Sequence, residues 1–425
     1  IESLRSSSSD SEQVTEERSA GLKLHVAIDE GDEDEAKRQF LLLSTELPEP
    51  RGKDEESLYA KWLLTRGEYL WRRRSYNEAL TGTKDALLRF QVLELPEWEV
   101  GAQLLLGKIM LSLQRVDEAV DYFHNASQIP LANVHYGLTS ESSAFVALTH
   151  VMLGDYSLAL SFAETASNRA AERGRRMWQR YLDMMRGKIL FELGRYYEAE
   201  KIFQSLLILE RIYFDNARKE RFTAWLARTM MYQGYIEASL QLLEHLSETP
   251  EHLFFTAEAH LLNRDFESAF AALDTAMEGV GEEDTFIRPI ALLYRDGFEP
   301  FENVVLKNPE NYDVLHQLIR SMRGFVLFRL GREVEADGEF QKIFDAEKKV
   351  KIDPYRHLYY FFRTLAHENG GESGELTKAT FLSKSFQNLQ KIAGRITEPS
   401  DRRSFLTQNY WNSKLFSMSK EHKLV

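Results

Sequence analysis

The chain has 425 residues, of which 43% are hydrophobic and 12% aromatic, and its formal net charge is −13 at pH 7. Its length exceeds the roughly 250–300 residues that one hydrophobic core usually supports, and its apolar content excludes an intrinsically disordered protein. The acidic balance argues against a general nucleic-acid binder. The absence of cysteine excludes disulfides, thiolate zinc sites and cysteine nucleophiles. No apolar run reaches the roughly 18–20 residues that a membrane-spanning helix needs.

The N-terminal stretch, residues 1–18, is polar and rich in serine and has no apolar periodicity. This composition predicts a flexible tether. Such tethers often follow the lipidated cysteine of bacterial lipoproteins, and they also connect the domains of large proteins. A lipid anchor upstream of Ile1 and a linker from a preceding domain therefore both stay open. The compartment stays open too, as the bacterial cytoplasm or the periplasm with attachment to the envelope.

A repeat of about forty residues follows the tether and is clearest at 186–203, RGKILFELGRYYEAEKIF. Gly187 lies in one predicted helix, which Gly194 interrupts, and Ala199 and Phe203 lie in a second helix. Small residues at Gly187 and Ala199 allow the two helices to cross at close range. The first-helix position recurs at Leu24, Gly67, Gly107, Ala147, Gly187, Leu226, Ala257 and Gly324, with early steps of 43, 40, 40, 40 and 39 residues.

This pattern resembles the helix-turn-helix unit of the tetratricopeptide repeat (TPR), in which a small residue, a glycine, an alanine and an aromatic residue follow at fixed offsets. The usual TPR has ~34 residues, so a step near forty indicates helices that are longer by about one turn. The resemblance implies an all-α fold, namely a right-handed superhelix of about 8–10 helical hairpins without a sheet. In such a fold each repeat buries its apolar face on its neighbours.

The repeats differ in regularity along the chain. We expect a regular TPR array over residues 19–250, shorter and degenerate copies over 251–350, and a terminal helical pair with a C-terminal cap over 351–425. The weakest copy falls at Phe286–Pro309. These bounds predict that the array is most regular before residue 250.

The C-terminal stretches Asp401–Leu406 and Tyr410–Asn412 resemble a segment that closes TPR arrays in large bacterial signalling proteins. In those proteins the arrays accompany kinase, cyclase or nucleotide-switch domains. The apolar residues of this segment are predicted to cover the exposed end of the last repeat, because solenoids need capping units. These residues are Phe405, Leu406, Trp411 and Leu415.

No pattern in the chain indicates catalysis. The eleven histidines are scattered, without an HExxH sequence, and there is no GxSxG sequence. The segment Gly101–Lys108 is similar to a phosphate loop only superficially, because it is one residue too long and lies within a predicted helix. We therefore expect no enzyme activity, no cofactor and no metal site.

Candidate binding residues come from the TPR resemblance. In TPR proteins the first helix of each repeat lines a concave groove, and residues near the small anchor face the ligand. By register, the resemblance places on this groove Lys61, Trp71, Lys108, Tyr181, Met184 and Lys188. The stretch 169–228 has 14 Lys and Arg against 8 Asp and Glu, a balance of +6. This charge fits either a solvated outer face with ion pairs within helices, or a docking surface for an acidic partner.

These features favour a non-enzymatic protein–protein interaction scaffold or adaptor, which binds a peptide or protein partner along a TPR groove. The alternative is a sensor or regulatory TPR arm of a multidomain bacterial signalling protein, with the output domain outside this chain. The identity of the partner and the oligomeric state stay open.

Overall fold

A computed structural model describes residues 35, 37–40, 50, 52–130, 136–172, 174–213, 216–279, 314–348, 353–367 and 372–424. The predicted tether, the anchor Leu24 and the degenerate copy at Phe286–Pro309 lie outside these residues. The chain divides into two compact units, Ile1–Ser142 and Ser143–Val425.

Within the described ranges every regular element is an α-helix, and none is long and apolar enough to cross a membrane. The first unit contains α1 (Lys53–Arg72), α2 (Tyr76–Val92), α3 (Pro96–Ser112) and α4 (Val116–Gln128), and α5 (Tyr136–Leu153) runs across the boundary. The second unit contains α6 (Tyr156–Glu172), α7 (Arg176–Glu192), α8 (Tyr196–Tyr213), α9 (Asn216–Tyr232), α10 (Ile236–Leu243), α11 (Pro250–Leu262), α12 (Phe266–Gly279), α13 (Val314–Arg329), α14 (Glu333–Glu347), α15 (Arg356–Ala366), α16 (Glu372–Arg395), α17 (Pro399–Thr407) and α18 (Tyr410–Glu421).

Consecutive helices from α1 to α16 form eight hairpins in the described part of the chain, and each odd-numbered helix is the first of its hairpin. Within each unit, neighbouring hairpins pack on one another, as α2 does on α3 in the first unit and α8 on α9 in the second. The predicted all-α, TPR-like helical solenoid is therefore confirmed. The pair α17 and α18 follows as an addition to the hairpins.

In seven of the hairpins, the turn has one residue with positive φ, seven residues after the small anchor. In the α7–α8 turn this residue is Gly194, with φ +77°, so the predicted helix break at Gly194 is confirmed. A left-handed conformation strains residues with a Cβ atom, which explains why glycine recurs here. Positive φ is found at Arg74, Gln114, Gly154, Gly194, Gly234, Arg264 and Gly331.

In three hairpins the two helices cross where the anchor glycine faces a phenylalanine ring. A Cβ atom built on Gly187 would lie 2.7 Å from a ring carbon of Phe203, and one on Gly324 would lie 2.8 Å from Phe340. The opposite small residue, Ala199, has no exposed surface. Ordinary carbon–carbon contacts are about 3.5–4.0 Å, so only glycine fits this crossing without movement of the ring. The predicted close packing at Gly187 and Ala199 is confirmed.

One predicted register is wrong by a single residue. The anchor of α9 is Ala227, which is fully buried, and not its neighbour Leu226, which retains 9% exposure. The matching position in α10 is Ser239, fully buried, whereas Ala238 is exposed. A crossing point needs the smaller side chain, and alanine at 227 also restores a step of forty residues from Gly187.

Candidate functional site

The first helices of the hairpins in the first unit, α1 and α3, pack side by side and carry three of the predicted binding residues. The Lys61 ammonium lies 4.7 Å from the centre of the Trp98 ring, a distance at which the ring attracts a cation. At the other end of the two helices, Trp71 Nε1 donates a hydrogen bond of 2.9 Å to Ser112 Oγ. Trp71 is only 5% exposed, so its role here is to join α1 to α3.

Lys108 connects the same surface to α5. Its ammonium forms an ion pair with Glu141 Oε1 at 2.9 Å, and both side chains are more than four-fifths buried. The sequence predicted a binding residue here, and the structure gives this lysine an ion pair with the chain itself. Lys61 is half-buried, so part of its side chain is accessible to a partner.

The other three predicted binding residues lie in the second unit, and all are buried. Tyr181 is 6% exposed, Met184 1%, and Lys188 has no exposed surface at all. The Lys188 ammonium lies 4.9 Å from the Trp225 ring centre, which partly offsets the cost of burying its charge. In this structure, therefore, these side chains stabilise the interior of the second unit.

The centre of the second unit is a buried ion pair among aromatic rings. Arg228 on α9 makes two hydrogen bonds to the Glu258 carboxylate on α11, of 2.7 and 3.0 Å. The guanidinium lies 4.5 Å from the ring centre of Phe191 and 4.6 Å from that of Phe255. Burial alone would lower the pKa of Arg228, but the Glu258 carboxylate raises it above its ordinary value. The pair is charged, desolvated and geometrically well matched.

Two tyrosines extend this polar core. Tyr232 donates a hydrogen bond of 2.8 Å to Glu258, and Tyr355 donates one of 2.9 Å to Glu192. Burial raises the pKa of the Glu192 carboxyl, although Arg228 and the Tyr355 hydroxyl oppose the rise. The same cause, burial, raises the pKa of Tyr232 well above its ordinary value. Both tyrosines therefore act as neutral hydrogen-bond donors near pH 7.

The polar core encloses a small cavity. It is lined by helices that include α7, α9, α11, α13, α15 and α18, and the space open to water-sized molecules is about 30 Å³. A water molecule needs about 10–15 Å³ on this measure, so the cavity has room for about two waters. Arg228 Nη1 faces no hydrogen-bond acceptor among the described protein atoms, and water in the cavity would supply one.

The C-terminal helices close this core from one side. We call α17, α18 and the two residues between them the C-terminal strap. Its Asn409 Nδ2 donates to the backbone oxygen of Glu192 at 3.0 Å, across 217 residues of sequence. The Trp411 indole donates to the Tyr232 hydroxyl at 2.8 Å, across 179 residues. The strap thus contacts repeats far from the last one, beyond the predicted cap at the end of the array.

The hairpin turns of α5–α6 and α7–α8 fit closely against this part of the chain. A Cβ atom on Gly194 would lie 2.6 Å from the backbone carbon of Gln408, and one on Gly154 would lie 3.0 Å from Ile392. Beside the first contact, Arg195 forms an ion pair of 3.1 Å with Asp401 of the strap. A glycine is therefore needed at Gly194 both for its φ and for the approach of the strap.

The sequence did not single out the buried charges. Arg228 and Glu258 stand in mainly apolar helical stretches, LARTMM and FTAEAHLL, and this placement was the available signal. A lone charge on an apolar helix face is usually buried only with a partner. The partner could not be chosen from sequence, because many acids and bases lie within reach.

Some of the charges in the positive stretch 169–228 are paired within the fold. Arg186 pairs with Asp183 and Glu164, and Arg195 pairs with Glu198. These ion pairs are of the kind expected if the stretch forms a solvated outer face with ion pairs within helices. Elsewhere in the described ranges, no three His, Asp or Glu side chains come together as a metal site.

The close glycine–aromatic crossings, the repeated left-handed turn and the stacked hairpins are features of a TPR-like helical-repeat fold, and the predicted resemblance to that repeat is confirmed. A family model for a C-terminal domain, TP_0123_C, matches residues 304–423. The chain is 20% identical over 371 residues to a TPR repeat-containing protein of Treponema pallidum (strain Nichols). That match covers 83% of this chain and 42% of the relative, so the chain spans less than half of the relative's length.

Solved structures of similar chains were also found. A tetratricopeptide repeat protein from Parabacteroides merdae has a TM-score of 0.49 and 14% identity, over 72% of this chain and 98% of that one. The apo form of the quorum sensor NprR from B. thuringiensis has a TM-score of 0.45 and 14% identity, over 96% and 98%. A Rap protein complexed with competence and sporulation factor has a TM-score of 0.47 and 10% identity, over 88% and 99%.

Proposed function

We propose that this chain is a non-enzymatic interaction module that binds a peptide or protein partner, and that the first unit provides the binding face. The observation that carries the proposal is the accessible cation–aromatic pair of Lys61 and Trp98 on the first helices of that unit. Aromatic and basic side chains are the types that commonly anchor interfaces. The positive charge of Lys61 favours an acidic segment, whose attraction is screened by salt.

The burial of Tyr181, Met184 and Lys188 limits where a partner can bind. The first helices of the second unit surround a polar core with room for about two waters. A groove through these three residues requires their buried side chains to become exposed. The first unit requires no such opening at Lys61, which is why we place the binding face there. Trp71 contributes by joining α1 to α3, and Lys108 by its ion pair with Glu141 of the same unit.

The test compares two charge reversals on the same hairpin. Lys61→Glu changes the first helix, and Lys84→Glu makes the same charge change at an exposed position of the second helix. Proteins captured from the native source by the parental chain are quantified by mass spectrometry at two salt concentrations. We expect one partner whose capture by the Lys84→Glu chain equals that by the parental chain. The Lys61→Glu chain should capture at least tenfold less of this partner. Capture by the parental chain should fall at the higher salt concentration. Equal capture by both variants would remove the first unit as the binding face.

A second function is supported by one comparison. The chain matches only 42% of its relative's length, as expected for a regulatory arm of a larger signalling protein. In this alternative, partner binding controls an output domain encoded in the same reading frame. The apparent mass of the native protein on an immunoblot distinguishes the two. A band near the chain's own 49.3 kDa contradicts the regulatory arm.

A further inference from the structure

The surface of α7–α9 that the C-terminal strap covers is a set of hydrogen-bond acceptors. The acceptors are the Glu192 backbone oxygen, the Tyr196 hydroxyl and the Tyr232 hydroxyl. Three consecutive strap residues each donate one hydrogen bond to this set, of 3.0, 2.9 and 2.8 Å. In order, they are Asn409 Nδ2, Tyr410 N and Trp411 Nε1. A run of donors thus meets a run of acceptors.

The aromatic contacts add shape to this pattern of hydrogen bonds. The Trp411 ring lies edge-on to Phe362, with centres 5.0 Å apart, and the Tyr410 ring lies 5.4 Å from that of Tyr232. Trp411 is only 7% exposed, so the indole is seated as an anchor. The surface therefore recognises both a polar backbone and a large ring.

We propose that this surface is a peptide-binding site whose resident occupant is the strap, and that it accepts a free segment of the same chemistry. That chemistry is a carboxamide side chain, a backbone N–H and an indole on three consecutive residues, as in Asn-Tyr-Trp. The inference rests on the proposed interaction function and adds a second binding surface with its own class of partner. It concerns the second unit alone, so its failure leaves the Lys61 prediction for the first unit untouched.

The strap competes with any free segment because it belongs to the same chain. Only three residues, 396–398, connect α16 to α17, and a short connection gives an effective concentration on the order of millimolar. A free segment at micromolar concentration therefore gains access only when the strap is weakened. This requirement makes the site self-inhibited in the parental chain.

The experiment weakens the strap and supplies its sequence as a separate molecule. The probe is a fluorescent synthetic peptide of residues 399–421, and the receptor is the full chain with Asn409→Ala and Trp411→Ala. We expect saturable binding, at least tenfold tighter than to the parental chain. A peptide that carries Trp411→Ala should bind at least tenfold more weakly.

Two glycines provide a matched control on the receptor. Gly194 and Gly331 have the same φ, +77°, but a Cβ atom at Gly194 meets the strap backbone, and one at Gly331 has nothing within 4 Å. Gly194→Ala should therefore abolish peptide binding by the weakened receptor, and Gly331→Ala should preserve it. Equal binding of both peptides, or no binding by a receptor whose α7 and α9 amides stay protected from exchange, overturns the proposal.

A milder variant covers the case in which the double substitution prevents folding. Asp401→Ala removes the ion pair with Arg195 and leaves the three hydrogen bonds in place. Hydrogen exchange should then be at least tenfold faster in the strap amides, with parental rates in α7 and α9. Exchange of the strap and α9 together, at one rate, would show that they open as a single unit and would refute a separable occupant.

Discussion

The crossing of α7 and α8 at Gly187 predicts both the sign and the size of the change in stability that Gly187→Ala causes. In an exposed helix, replacing glycine by alanine stabilises by about 1 kcal/mol, because alanine loses less backbone entropy. At Gly187 the added Cβ would lie 2.7 and 2.8 Å from two ring carbons of Phe203. Phe203 has no exposed surface, so the ring cannot move without displacing its neighbours. Overpacking of this kind costs about 1–3 kcal/mol, so Gly187→Ala should destabilise the hairpin by about 1 kcal/mol net.

A matched glycine gives the opposite expectation. Gly338 lies within α14, is exposed, and has nothing within 4 Å of a built Cβ. Gly338→Ala should therefore stabilise its hairpin by about 1 kcal/mol. Because repeat arrays open locally, the measurement is native-state hydrogen exchange of the two hairpins, which reports local free energies of opening.

The cause is tested by removing the ring. In the double variant Gly187→Ala, Phe203→Leu, the loss should be smaller than the sum of the two single losses by about 0.5–3 kcal/mol, since the residues contact each other. If Gly187→Ala slows hydrogen exchange in α7 as much as Gly338→Ala slows it in α14, the close contact between Gly187 and Phe203 does not exist.

Three further predictions follow from buried polar groups. Burial lowers the pKa of His357 and of His316 to about 4. The contribution of each neutral histidine to the free energy of unfolding is therefore complete above the ordinary pKa of 6.5, and it is lost as the pH falls through 4. Each histidine contributes up to about 3 kcal/mol, and His357→Gln should flatten the acid limb of a urea-denaturation series against pH. Arg228→Leu should lower the free energy of unfolding by about 3–5 kcal/mol, because it leaves the Glu258 carboxylate buried without its ion-pair partner. The double variant Arg228→Leu, Glu258→Met should lose less than this single variant, as measured by chemical denaturation. Trp71→Phe should lose about 1 kcal/mol in the first unit alone, seen as faster exchange in α1 and α3, since one buried hydrogen bond disappears.

The repeat architecture could be predicted because its cause is local. Gly187 and Phe203 are sixteen residues apart, and the same pair of positions holds Gly107 with Phe123. A helix crossing demands a small residue wherever it occurs, so the demand is visible in each copy. The error at Leu226 shows the limit of this reasoning, because two adjacent apolar residues differ in burial by only one helical step.

The candidate site was less predictable because its contacts are not local. Trp411 meets Tyr232 across 179 residues, and no periodicity links them. The burial of Lys188 could not be predicted from the repeat register either. The register shows that a residue lies on the inner face of a helix, but it does not show how closely other side chains pack against that face. At Lys188 the Trp225 ring of the next hairpin fills this face.

The strap also has a consequence for the order in which the chain folds. The contacts inside each hairpin join residues a few dozen positions apart, so hairpins can form as they leave the ribosome. The surface of α7–α9 is different, because its donors at Asn409 and Trp411 are made about two hundred residues later. Until then Tyr196 and Tyr232 lack the strap residues that contact them in the folded chain. The second unit is thus expected to be the slow and aggregation-sensitive part of biosynthesis, and the first unit the fast one.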